Sequence, residues 1–179
     1  MSGRRRARAR GAGVLRAALL LFGLGGLLGV AAPRSCALYV LGKGSEVVEG
    51  CFDPCQCPVR LADDLRGIFL VAPLPAEPAP FRRFDVRWVL WVYDYVGGGE
   101  RTLVAGHGTY EVGGEFAITQ RLALDLRVGE EPVTRYDSGS VAGGSDTEEF
   151  PPIDVSISRN GQYCYDRVFT LNAVPLVER

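Results

Sequence analysis

The chain has 179 residues and a near-neutral formal charge of −1, with 20 basic and 21 acidic side chains. Seven of the basic residues are arginines that precede residue 38, where the chain has no acid, so the remainder carries 13 basic against 21 acidic residues, a net charge of −8. A domain this acidic argues against nucleic acid and anionic membrane surfaces as binding partners.

The N-terminal segment has the three-part order of a secretory signal. A basic head is followed by an uncharged stretch rich in Leu, Ala and Gly over residues 17–32, and then by small residues around Ala37. This pattern favours cleavage after Ala37, with a cut after Ala31 or Ala32 as the alternative. We therefore predict a signal peptide over residues 1–37 and one domain over residues 38–179, secreted or periplasmic and without a membrane span after cleavage.

Two other interpretations of this segment are less favoured. A retained membrane anchor would need about 18 or more apolar residues, and this stretch is shorter and interrupted by glycines. A lipid anchor on Cys36 would follow Pro33-Arg34-Ser35, which is a poor approach to a lipidated cysteine.

Cleavage after Ala37 leaves four cysteines: Cys51, Cys55, Cys57 and Cys164. An even number in an exported chain indicates two disulfides. A bridge between Cys55 and Cys57 would close a very small ring, so two pairings stay open: Cys51–Cys55 with Cys57–Cys164, or Cys51–Cys57 with Cys55–Cys164. Either one ties the loop CFDPCQCP, residues 51–58, to the end of the chain. The alternative is a thiolate site for zinc or copper, which this cysteine spacing matches poorly.

The mature chain repeats a period of two, which is typical of β-strands. Its first half predicts a hairpin of residues 37–41 and 46–49 around Gly42-Lys43-Gly44, a strand over 64–74, a proline-rich connector over 73–80 and a strand over 84–94.

Strict alternation in the strand over 84–94 places its two tryptophans, Trp88 and Trp91, on opposite faces. One of the two tryptophans must then lie outside the main core. It could be covered by a loop or belong to a binding surface, and we expect a covering loop. The residues predicted on one face are Phe84, Val86, Trp88, Leu90 and Val92; those on the other are Val89, Trp91 and Tyr93.

Gly97-Gly98-Gly99 predicts a turn, and two strands of clean alternation follow over residues 102–112 and 116–128. Their apolar faces must lie on the same side of the sheet, which favours a three-residue loop over residues 113–115. This register pairs Val112 with Phe116 and Tyr110 with Ile118.

The same register places His107, the only histidine, opposite Arg121 on the polar face. We interpret His107 as a solvent-side residue. A general base in a hydrolase is the alternative, but no motif ties a Ser or Cys nucleophile to it.

Residues 129–152 form a long polar connection with a short strand predicted near 133–136. We interpret its acids as solvated, with calcium binding as the alternative. A strand over 153–159, a hairpin turn at Asn160-Gly161 and a last strand over 162–174 that contains Cys164 complete the chain. The acids considered for calcium are Asp137, Asp146, Glu148 and Glu149.

The export signal, CFDPCQCP, the segment GHGTYEVGGEF, the Tyr-Asp-Ser-Gly loop and the late cysteine resemble small secreted bacterial all-β proteins, a resemblance that implies no activity. The strand lengths also fit lipocalin-like barrels, although their motifs are not matched residue by residue. The predicted fold is a single all-β domain of about seven to nine antiparallel strands, a meander-like β-barrel or curled β-sandwich stapled by disulfides.

No catalytic constellation stands out, so we expect a non-enzymatic extracytoplasmic domain with a structural or protein-interaction role and no cofactor. One alternative is a carrier of a small apolar ligand, whose surface Trp88, Trp91, Tyr93 and Tyr110 would form. A second is a thiol or metal site at Cys51, Cys55 and Cys57. The expected partner is an unidentified protein or a small apolar ligand.

Overall fold

The computed structural model describes residues 35–75, 80–94 and 100–176, and these residues form eleven β-strands and no helix. The all-β, antiparallel, disulfide-bonded fold is confirmed. The strands are β1 (Ala37–Leu41), β2 (Glu46–Cys51), β3 (Arg60–Asp64), β4 (Arg66–Pro73), β5 (Phe81–Asp94), β6 (Arg101–Gly113), β7 (Thr119–Val128), β8 (Thr134–Asp137), β9 (Val141–Ala142), β10 (Ile153–Ser158) and β11 (Tyr165–Pro175).

Three predictions fall wholly or mainly outside the described residues: the signal segment, the middle of the proline-rich connector and the triple-glycine turn. Within the described ranges, no helix has the length and apolar character needed to cross a bilayer.

The hydrogen-bonded strands follow one another in a ring. Their order is β1, β4, β5, β6, β7, β8, β10 and β11, and β11 pairs back with β1. β8 meets β10 through the pair Ser158–Asp137, and the buried Gln120 of β7 also connects to β10 by donating from Nε2 to the carbonyl of Asp154 at 2.9 Å. A side-chain amide thus supplements the ring where backbone pairing is shortest.

The count of eleven strands among the described residues exceeds the predicted seven to nine, because β3 and the two-residue β9 were not predicted. β1 pairs with residues 173–175 of β11 and β2 with residues 165–170, so β1 and β2 lie end to end along one edge of β11. The predicted opening hairpin is therefore wrong. At the break, the Ser45 hydroxyl accepts the N–H of Asn172 at 3.0 Å and donates to its carbonyl at 3.2 Å, replacing a backbone partner.

A β-bulge reverses the alternation in the middle of β5. Val86 pairs with Gly108 and Val89 with Gly106, so Arg87 and Trp88 together face a single residue of β6. Trp88 has a φ of 50°, in the left-handed region. As a result the buried residues before the bulge have even numbers and those after it have odd numbers, and the predicted single apolar face is wrong.

The β6–β7 hairpin keeps the predicted phase but not the predicted register. Val112 pairs with Gln120 and Tyr110 with Leu122, four residues beyond the expected partners. The connection spans residues 114–118, because Phe116 lies in the loop, fully exposed, rather than in the strand. Gly108 allows the two strands to approach closely, since a Cβ there would clash with the carbonyl oxygen of Ala123.

Aromatic side chains fill the interior of the ring in a continuous series. Tyr39 stacks on Phe69 at 5.2 Å, Phe69 meets Trp91 at 6.1 Å, and Trp91 meets Phe169 at 5.9 Å. Phe169 in turn contacts Tyr136 at 5.2 Å between ring centroids. All five are fully buried, and they form the centre of one hydrophobic core.

Candidate functional site

The cysteine segment closes one end of the ring, which we call the disulfide end. Cys51 is bonded to Cys57 and Cys55 to Cys164, so the second of the two open pairings is the one present. The Cα atoms are 5.7 and 4.8 Å apart, within the usual range for disulfides. The four sulfurs of the predicted thiol or metal site are thus bonded to one another in pairs. Cys36 is a free thiol and is exposed.

Asp166 holds Cys164 in place at this end. Its buried carboxylate accepts backbone N–H groups from Asn160 at 3.0 Å, Gln162 at 2.9 Å and Arg167 at 2.8 Å. The turn from β10 to β11 is therefore six residues long rather than the predicted two, and Cys164 precedes β11 instead of lying in it. Three hydrogen bonds to one buried carboxylate make this turn rigid.

Arg167 follows Cys164 by three residues, pairs with Glu49 of β2 and is only 8% exposed. Its two terminal nitrogens form a bidentate pair with Glu131, both contacts at 2.8 Å, and its Nε donates to Glu49 at 3.1 Å. Tyr165 also donates to Glu49, at 3.1 Å. The guanidinium of Arg167 thereby connects β11 to β2 and to the turn between β7 and β8.

The electrostatics of this network keep its members charged. Burial alone lowers the pKa of Arg167, but hydrogen bonds to Glu131 and Glu49 more than offset it, so the pKa is raised. The hydrogen bond from Arg167 lowers the pKa of Glu131. Burial raises the pKa of Tyr93 and of Tyr136, so these phenols stay neutral beside the ion pairs. We interpret the network as a structural closure, because each charge has an opposite partner within hydrogen-bonding distance.

The other end of the ring is covered by the acidic connection. The guanidinium of Arg82 donates to the backbone carbonyls of Asp146, Glu148 and Glu149 at 3.1, 2.6 and 2.6 Å. Phe150 packs against the core, 6.3 Å from Phe84. Three of the four acids considered for calcium therefore lie in a loop that an arginine secures through its backbone.

The fourth acid, Asp137, belongs to a band of ion pairs on the outside of β7 and β8. Arg121 binds Asp137 at 3.0 and 2.6 Å, and Arg135 binds Asp125 at 3.3 Å. The hydrogen bond from Arg121 lowers the pKa of Asp137. Among the described residues no group of three or more His, Cys, Asp and Glu is arranged to hold a metal ion.

His107 is exposed on the outer surface, as predicted, but it pairs with Asp125 rather than Arg121. The change follows from the four-residue difference in the β6–β7 register. His107 also lies opposite the bulge at Arg87 and Trp88.

The four residues predicted to form an apolar ligand surface do not come together. Trp91 and Tyr110 are completely buried and Tyr93 nearly so, whereas Trp88 is 72% exposed. Burial raises the pKa of Tyr110 to about 12, and its hydroxyl donates to Gln120 at 3.2 Å. Three of the four therefore belong to the packed interior, and one to the exterior.

Trp88 marks an apolar area on the outer face of the sheet. Register connects Ala105, Leu90, Ile68, Val40 and Val174 directly, one residue on each of β6, β5, β4, β1 and β11. We define the apolar wall as the five large exposed residues along and beside this row, whose exposed fractions range from 39 to 72%. They are Ile68, Trp88, Leu90, Leu103 and Val174.

The bulge in β5 is what brings Trp88 to this wall. A left-handed conformation costs a bulky residue roughly 1–3 kcal/mol, so the fold maintains an exposed tryptophan against local strain. An exposed aromatic on a contiguous apolar area is typical of a contact surface. The sequence correctly predicted that Trp88 and Trp91 point to opposite faces of the sheet, but the covering loop expected over the outer tryptophan is wrong, because Trp88 is exposed. The apolar wall was not predicted, because the register of strands far apart in sequence decides which residues are neighbours on the surface.

Comparison with models of known protein families, with curated proteins and with solved structures finds no match.

Proposed function

We propose that this chain is an exported, non-enzymatic binding domain that docks on a protein partner through the apolar wall. The observation that carries the proposal is the in-register apolar row across five strands, with Trp88 standing beside it. Contiguous exposed apolar surface of this kind marks protein contact sites, and tryptophan is enriched among the residues that dominate binding energy.

Export is supported by the disulfides. Two bridges in a small domain are typical of oxidising compartments such as the periplasm or the extracellular space. Ala37 is buried and pairs with Val71 in β1, so cleavage after Ala31 or Ala32 would leave this strand intact, whereas cleavage after Ala37 would remove its first residue. We therefore favour the earlier cut, which retains Cys36 in the mature chain.

A carrier role has less support. Trp91 and Tyr110 would have to leave the core to contact a ligand. Two cavities of about 480 and 290 Å³ lie where β1 gives way to β2 and β3 to β4, and they share the exposed Asp64 and Arg66. Neither is lined by any of the four residues predicted for an apolar ligand.

Site-specific photo-crosslinking in the cells that produce the protein would test the docking proposal. A benzophenone amino acid replaces Trp88 in one variant and Phe116 in another, because Phe116 is also an exposed aromatic but lies in the β6–β7 loop. A discrete protein adduct at position 88 that is missing at position 116 is the expected result. Exported, folded protein without any adduct at position 88 would overturn the proposal.

A further inference from the structure

We infer that the partner of the apolar wall is a second copy of this chain, an inference that rests on the proposed docking function. The exposed apolar area of the wall is similar to the apolar area that one partner contributes to a protein–protein interface. At about 200 Å² for a fully exposed aromatic side chain, which is an upper value for the four aliphatic members, the exposed fractions of the five residues give at most roughly 500 Å² of apolar surface. A standard-size protein interface buries about 800 Å² on each partner, and at the apolar share of about 65% found in homodimers this is also roughly 500 Å².

The charged residues at the rim of the wall also favour a second copy of this chain as the partner. Acid–base pairs border it at both ends, so each rim carries both signs. The part of the chain beyond residue 37, by contrast, has a net charge of −8. Two acidic copies repel each other overall, and a rim of paired charges lets them approach through this face without an added net repulsion. The rim pairs are Asp85–Arg87, Asp64–Arg66 and Asp94–Arg101.

A rim that carries both acidic and basic side chains is also compatible with a symmetric dimer, in which a twofold axis relates the two copies. In a symmetric dimer the same patch contacts itself, so the patch has to be self-complementary in charge and shape. A rim with both signs can place acids of one copy opposite bases of the other. The row of Leu90, Ile68 and Val40 offers one sheet face to another, as in the packing of two β-sheets.

Sedimentation equilibrium of the mature protein from roughly 1 to 100 µM tests this inference, since interfaces of this size bind at micromolar or tighter affinity. Every sample carries Cys36→Ser, so that the exposed thiol cannot produce a disulfide-linked dimer. Wild-type wall residues should give a dimer, and Trp88→Ser and Leu103→Ser should each weaken it by at least about tenfold. Phe116→Ser should leave the dimer unchanged, and circular dichroism confirms that each variant is folded.

A monomer at every concentration would overturn the inference, as would an equal loss of dimer in Phe116→Ser and Trp88→Ser. The photo-crosslinking experiment separates this failure from that of the docking function. An adduct of twice the chain mass at position 88 supports both proposals. An adduct with a different protein, together with a monomer in the ultracentrifuge, overturns the second copy and leaves the docking function standing.

Discussion

The two disulfides should differ strongly in what they contribute to stability, because they close loops of very different length. Cys55–Cys164 spans 109 residues and Cys51–Cys57 spans six. In the chain-entropy model, the loss of loop-closure entropy in the unfolded chain gives about 5 kcal/mol for the long loop and about 2 kcal/mol for the short one. At an m-value of about 2 kcal/mol per M of urea, the midpoint should fall by roughly 2.5 M when the long bridge is removed and by 1 M when the short one is.

Urea unfolding of two double variants, Cys55→Ser/Cys164→Ser and Cys51→Ser/Cys57→Ser, measures this difference without reductant. The pair is matched, since each variant replaces two sulfurs at the same end of the ring. Cys36→Ser in both prevents exchange with the free thiol. Equal midpoints, or a larger loss from the short loop, would refute the entropic reasoning and point instead to contacts within the cysteine segment.

Three further predictions concern single side chains. Glu131→Gln should destabilise the protein at neutral pH. The pKa of Glu131 is lowered in the folded state, so the contribution of this carboxylate to the free energy of unfolding is present above the ordinary pKa of 4.5 and is lost as the pH falls through the folded pKa. The urea midpoints of variant and wild type should therefore converge below pH 4.5. A difference between the midpoints that stays constant with pH would contradict this. Gln120→Leu should cost about 1–3 kcal/mol in the same assay, because it leaves Tyr110 and the Asp154 carbonyl without a partner at the seam, and an unchanged midpoint would show that the seam does not need this amide. Trp88→Asn should raise the free energy of unfolding by up to about 1 kcal/mol, since Asn tolerates the left-handed conformation; a decrease in thermal stability would mean that Trp88 is packed in the folded state.

The phase of the strands could be predicted from the sequence, but their register could not. The alternation of apolar residues in β6 and β7 correctly predicted that the even-numbered residues of both strands face the core. A shift of one residue in the pairing of the two strands would have turned these side chains to solvent. A slip of four residues preserves that pattern, so alternation could not exclude it. Phe116 looked like the first strand residue because it is apolar, yet it lies fully exposed in the loop.

The bulge in β5 was hidden by the composition of that strand. Residues on both faces are apolar from Val89 onward, so the reversal at Trp88 leaves no gap in the hydrophobic pattern. Only the pairing with β4 and β6, together with the positive φ, reveals it. The apolar wall follows from that local feature and from strand neighbours far apart in sequence.

The buried ion pairs had no signal that pattern reasoning could use. Arg167 directly follows Asp166 in the sequence, yet its partners Glu49 and Glu131 are 118 and 36 residues away. The disulfide pairing was open for the same reason, since sequence spacing removed one pairing and the fold selected between the other two.

The closed order of strands also bears on the docking function that we propose. An exposed strand edge is the usual place where another chain adds by backbone hydrogen bonds, and a ring leaves few such edges. β3 extends beyond the ring, but Arg60, Asp63 and Asp64 give this strand the charged side chains that discourage strand addition. Contact through a side-chain face is then the route that remains. On the outer face, the band on β7 and β8 has its charges paired, whereas the apolar side chains of the wall gain from being covered.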